Sequence, residues 1–206
     1  MKTALDIEKW VRKDHFKFFK QFEEPFFGIC VDIDCSESYA KCKSEGVSFF
    51  LYYLHKSLIA ANKTEPFRYR IENENVFLYD KVNASPTINR PDGTFGFAYI
   101  DYYEDFQTFV NEAKKEIDRV QNSLGLFPAV SGENVIHFSS LPWINFKSVS
   151  HARSFSFKDS CPKITFGKIT DKDNRRLMPV SIHVHHALMD GIHVGHFIDE
   201  FQSLMR

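Results

Sequence analysis

The stretch His185-His186-Ala187-Leu188-Met189-Asp190-Gly191-Ile192-His193 gathers the groups of this chain best suited to moving a proton. It supplies an imidazole, a carboxylate four residues later, and a glycine able to turn the backbone sharply. The residues before it, Met178–His186, alternate apolar and polar side chains with the period of a β-strand. Val180, Ile182, Val184 and His186 share one parity, so His186 is expected to end an otherwise buried row. Burial disfavours a charged imidazole, and a neutral histidine beside a cavity is what a general base requires. By position alone, a core histidine bonded to backbone reads equally well. Asp190 reads as a second catalytic group, as a partner orienting His186, or as part of an Asp-Gly turn. Metal is the competing chemistry, because His183, His185, His193 and His196 crowd the same region. A metal site needs convergent ligands. His183 and His185 point away from His186 along the strand, so no metal is expected.

These groups need a scaffold, and 206 residues suit one domain spanning 1–206. The formal charge of −1 gives no field to attract nucleic acid or an anionic membrane surface. No apolar run approaches the ~20 residues that span a bilayer, and the N-terminus lacks a signal-peptide core. Cys30, Cys35, Cys42 and Cys161 show no CxxC pairing, which fits reduced thiols in the cytoplasm. The 22 phenylalanines are many for this length. They suit core packing, and they also make walls for aromatic ligands.

Periodicity predicts helices over Asp6 to about Gln21, Ser48–Asn62, Glu104–Leu124 and about His193–Met205. Gly125 is the expected cap of the third. Strands are expected at Phe27–Ile33, Val76–Tyr79, Phe95–Ile100, Val135–Ser139, Lys163–Ile169 and Met178–His186. The order describes an α+β domain, a mixed sheet with flanking helices.

Four segments together resemble a known family: Trp10-Val-Arg-Lys-Asp-His-Phe16, Pro142-Trp-Ile-Asn-Phe-Lys-Ser148, Ile164-Thr-Phe-Gly-Lys168, and His185-His-x-x-x-Asp-Gly191. In order and spacing they are similar to chloramphenicol acetyltransferases, and the last is also similar to dihydrolipoamide acyltransferase cores. The resemblance covers nearly the whole chain and implies the CoA-dependent acyltransferase fold. It implies direct acetyl transfer from acetyl-CoA, a co-substrate and not a bound cofactor, to the hydroxyl of chloramphenicol or a related small alcohol. His186 is then the base, Ser148 the oxyanion donor, and Thr165 a transition-state stabiliser acting through a water. Asp190 and Arg12 form a structural pair. Phe18, Phe19, Phe95 and Phe127 line the acceptor pocket, with Phe19 standing where the family carries a tyrosine. The family also implies a homotrimer with active sites between subunits. Two alternatives stay open: a dihydrolipoamide-type transferase acting on another acceptor, and a relative that binds small molecules without turnover.

Overall fold

The structure, a computed structural model, describes residues 1–126, 132–153 and 158–206. A mixed sheet forms its centre. Strands β2 (Phe26–Asp34), β10 (Arg175–His185), β8 (Lys163–Gly167), β7 (Val135–Leu141), β5 (Asn83–Asn89) and β6 (Phe95–Phe97) lie side by side in that order. A short β9 (Thr170–Lys172) pairs with β10. The β5–β7 and β7–β8 pairs are parallel and the others antiparallel. A separate three-stranded sheet joins β1 (Lys2–Ala4), β4 (Asn75–Tyr79) and β3 (Tyr69–Glu72).

Alternation gives the main sheet two different faces. Ile136, Phe138, Ile164, Phe166, Val180, Ile182 and Val184 form the inner face and are buried in one core. Helices α3 (Phe49–Lys63), α4 (Phe106–Gln121) and α5 (Gly191–Leu204) contribute the other side of that core. Ser48 caps α3 by accepting from Leu51 N, and Asp105 caps α4 by accepting from Thr108 N at 2.8 Å. Both caps satisfy donors that a helix start leaves free.

Several expectations need correction. The first helix, α1, covers only Lys13–Phe19. Asp6 instead closes a local turn by accepting from Glu8 N, while Leu5, Ile7 and Trp10 pack on a small second core with Phe16 and Tyr69. Helix α2 (Ser36–Glu45) was not expected, because it buries little beyond Ser38 and Cys42. Strands β1, β3 and β9 are only three or four residues long, too short for a period to show, and β5 alternates but carries Pro86, which argues against a strand. Gly125 does not cap α4, which ends at Asn122 with ordinary backbone angles.

Candidate active site

His186 follows the last residue of β10, and its N–H donates to Pro25 O at 2.8 Å. The row it was expected to end is buried as far as Val184. Beyond the strand the chain turns, parity no longer applies, and the His186 side chain is 34% exposed. The buried neighbour is His185, whose pKa burial pushes down to about 4. The His186 ring stacks on Phe19 at 4.0 Å and contacts Phe27 at 4.6 Å.

The ring is oriented by hydrogen bonding. Nδ1 lies 3.2 Å from Met189 O and 3.4 Å from Asp190 Oδ1. A carbonyl can only accept, so Nδ1 carries the proton in that bond. In the neutral ring Nε2 then keeps its lone pair, the form needed to take a proton.

Asp190 is held from the far end of the chain. Arg12 donates to both of its carboxylate oxygens, through Nη2 to Oδ1 at 2.9 Å and through Nη1 to Oδ2. The Arg12 Nη2 also donates to His186 O at 3.1 Å. This bidentate pair holds the Asp190 carboxyl below its ordinary range. His193 Nδ1 accepts from Asp190 N at 2.9 Å. One buried guanidinium thus ties the start of α1, the His186 loop and the start of α5 together. Gly191 does not make the turn. It is the first residue of α5, outside the left-handed region, and an added Cβ would meet nothing within 4 Å.

A second set of groups lies on the outer face of the sheet. Ser139, Thr165 and Ser181 face one another across β7, β8 and β10 in direct register. Thr165 and Ser181 are 1% and 0% exposed, and neither hydroxyl has a hydrogen-bond partner among the described residues. Two residues along the strands, roughly 7 Å away, His137, Lys163 and His183 form the next row. Phe97 pairs with Thr87 and Phe95 with Asn89 on β5, so both rings share this outer face.

Ser148 does not join that row. It is exposed, lies outside any strand, and makes no side-chain hydrogen bond among the described residues. Ser139 was missed, although its signal was present: Ile136 and Phe138 alternate with His137 and Ser139, which puts Ser139 on the face away from the core. Of the expected aromatic residues, Phe18 and Phe19 contact each other at 5.0 Å beside His186. Phe95 belongs to the other group, and Phe127 lies outside the described residues.

The four histidines weighed as metal ligands do not converge. Among the described residues, the group with three ligand atoms within 4.8 Å of one another is His137, Asp159 and Cys161. There the Lys163 ammonium is ion-paired to Asp159, so a cation is already in place. No helix among the described residues is long and apolar enough to cross a membrane.

The two groups of side chains are far apart within one chain. His186 stands five residues beyond Ser181, which at about 3.3 Å per residue is roughly 16 Å along the strand direction. At that separation one hydroxyl does not reach both groups within one chain.

An oriented histidine, an anchored loop and a hydroxyl row lie on the α+β sheet of an acyltransferase fold. The model of the family described as chloramphenicol acetyltransferase matches residues 1–202, and the chain belongs to that family. It is 29% identical over 201 residues to a chloramphenicol acetyltransferase of Proteus mirabilis, covering 97% of this chain and 93% of that one. A Staphylococcus aureus chloramphenicol acetyltransferase is 28% identical over 208 residues, covering 99% of both. A solved chloramphenicol acetyltransferase superposes with a TM-score of 0.91 at 31% identity, covering both chains fully. A dihydrolipoamide acetyltransferase of Azotobacter vinelandii shares the fold at a TM-score of 0.68 and 15% identity, over 93% of this chain and 85% of that one.

Proposed function

We propose that this protein transfers acetyl from acetyl-CoA directly to the hydroxyl of a small alcohol, with chloramphenicol as an accepted substrate. The observation that carries the reading is the fixed His186 tautomer. With Nδ1–H committed to Met189 O, Nε2 takes the acceptor's hydroxyl proton as the oxygen attacks the thioester carbonyl. The tetrahedral oxyanion then collapses, the C–S bond breaks, and the leaving thiolate takes the proton back from the imidazolium. Carbon, sulfur and proton balance without a covalent acyl-enzyme or a metal.

We assign oxyanion stabilisation to Ser139 in place of Ser148. Its register opposite Thr165 supports this, since the two hydroxyls then serve one reaction centre. Thr165 keeps its assignment, because its buried unpartnered hydroxyl suits an ordered water. Arg12 and Asp190 anchor the base. Phe18, Phe19 and Phe95 contribute apolar surface to the acceptor site.

The roughly 16 Å between the half-sites supports a homotrimer in which His186 of one subunit meets Ser139 and Thr165 of the next. Val11, Phe18, Trp143, Ile144 and Ile192 are large exposed apolar side chains that a neighbour would cover. The nine-residue β2 also leaves one edge of the sheet open. Four free cysteines agree with a reducing compartment such as the cytoplasm. The test is thiol release from acetyl-CoA with chloramphenicol present. Release that depends on chloramphenicol supports the reading, and none with any alcohol would overturn it.

A further inference from the structure

We propose that the acceptor pocket receives an oxyanion, so that the preferred acceptor is an alcohol carrying a carboxylate or phosphate. This rests on the acetyltransferase reading above and concerns the end of the acceptor remote from the reacting hydroxyl.

His183 and Lys163 border a cavity of about 220 Å³, together with Glu24, Phe26, Gly28, Ser150, His151 and Arg153. Gly28 is required here. A Cβ would come within 2.5 Å of the His183 ring, so only glycine admits that imidazole against β2. The His151 ring lies 4.8 Å from that of His183, and its Nε2 is buried with no hydrogen-bond partner among the described residues.

Donors outnumber acceptors around this space. The Arg153 Cζ lies over the Phe26 ring, 3.8 Å from its centroid, and one N–H is spent on Glu24. Its remaining N–H groups bond to nothing among the described residues, although the side chain is only 13% exposed. Lys163 donates to Asp159 and, at 3.2 Å, to Cys161 O, with one N–H left over. The field has the same sign as the donor surplus. Burial lowers the pKa of His183, and Lys163 and Arg153 lower it further. Burial, His183 and Lys163 push His151 down to about 4. A cationic acceptor would add charge that the site already repels. An oxyanion fits both the free donors and the field, as a guanidinium does with a carboxylate. Phe95 and Phe97, on the far side of the hydroxyl row, suit the apolar part of the same molecule.

The experiment compares matched alcohols on the full-length protein. Thiol release is followed with chloramphenicol and with its analogue bearing a carboxylate in place of the nitro group. Calorimetry separately follows the binding of benzoate, phenyl phosphate and benzyl alcohol. The expected results are a kcat/KM about tenfold or more higher for the carboxylate analogue, and benzoate or phenyl phosphate binding about tenfold tighter than benzyl alcohol. Whichever anion binds more tightly identifies the oxyanion. Arg153→Gln should abolish both preferences, chiefly through KM, and Arg153→Lys should restore part of them. Equal or better use of chloramphenicol, or a preference unmoved in Arg153→Gln, overturns the inference while leaving the acetyltransferase intact. If no alcohol is acetylated, the functional reading fails by itself, and anion binding sensitive to Arg153 still decides the pocket.

Discussion

At the scale of single residues, the site depends on which atom carries which proton. Met189 O fixes the His186 proton on Nδ1, so replacing the ring should remove the base with little effect on the core. His186→Ala is expected to lower kcat by about 10²–10⁴ while thermal denaturation stays near wild type. A folded variant with undiminished turnover would remove His186 from the mechanism. The two serines can be separated in the same assay. Ser139→Ala should cost about 10²–10³ in kcat, the usual loss for one oxyanion donor, and Ser148→Ala should cost little. The reverse ranking would return the role to Ser148. Phe19 bears on affinity. It stacks on the base but lacks the phenolic hydroxyl expected from the family resemblance, and an unpaired polar group on the ligand costs about 1–3 kcal/mol. Phe19→Tyr should therefore lower KM for chloramphenicol, read from initial rates. An unchanged or higher KM would show that the missing hydroxyl does not limit affinity.

At the scale of elements, the site depends on Arg12, which joins the start of α1 to the start of α5 and bonds the His186 carbonyl on the way. Losing either partner leaves the other charge unpaired. Asp190 is about a third exposed, so solvent softens the loss and the cost of each single change is about 1–3 kcal/mol. Arg12→Ala and Asp190→Ala should both lower stability and kcat, and the double variant should fall short of their sum. Urea denaturation of the four proteins checks this, and strict additivity would mean that the pair is not coupled. Sequence reached these elements unevenly. Strand β10 and helices α3, α4 and α5 were legible because their apolar residues repeat with a clear period. Helix α2 was not, since only a serine and a cysteine of it are buried. Helix α1 is shorter than its sequence pattern because Trp10 and its apolar neighbours mimic a helical face while packing as a turn. His186 and Asp190 stand out by their spacing, whereas the Arg12–Asp190 pair follows only from the family resemblance. Ser139 is different: alternation with Ile136 and Phe138 puts it on the outer face, but its place opposite Thr165 depends on the register between β7 and β8, a tertiary fact.

At the scale of the whole molecule, the outer face of the sheet makes stability depend on pH. Burial first, with help from neighbouring cations, pushes His137, His151 and His185 down to about 4. In the unfolded chain these imidazoles take protons near 6.5. Between those values the unfolded state binds more protons, so stability is full above about pH 6.5 and is lost as pH falls towards 4. The melting temperature should drop clearly from pH 7.5 to 5.5, and no drop would show that these imidazoles titrate normally in the fold. The same face must meet a neighbour if the half-sites are to work, and that dependence can be counted. His186→Ala retains Ser139, and Ser139→Ala retains His186, so each variant alone lacks a complete site. In a cyclic trimer, a mixed assembly of the two contains one interface at which an intact His186 faces an intact Ser139. Random mixing of equal amounts makes about three quarters of the trimers mixed, each with one good site in three, which restores roughly one quarter of wild-type activity. The variants are unfolded together in urea, refolded, and assayed beside each variant refolded alone, with light scattering to confirm the trimer mass. Recovery near one quarter places the reaction between subunits. Mixtures no more active than their parents would require both half-sites to meet within one chain, by a movement far larger than side chains can supply.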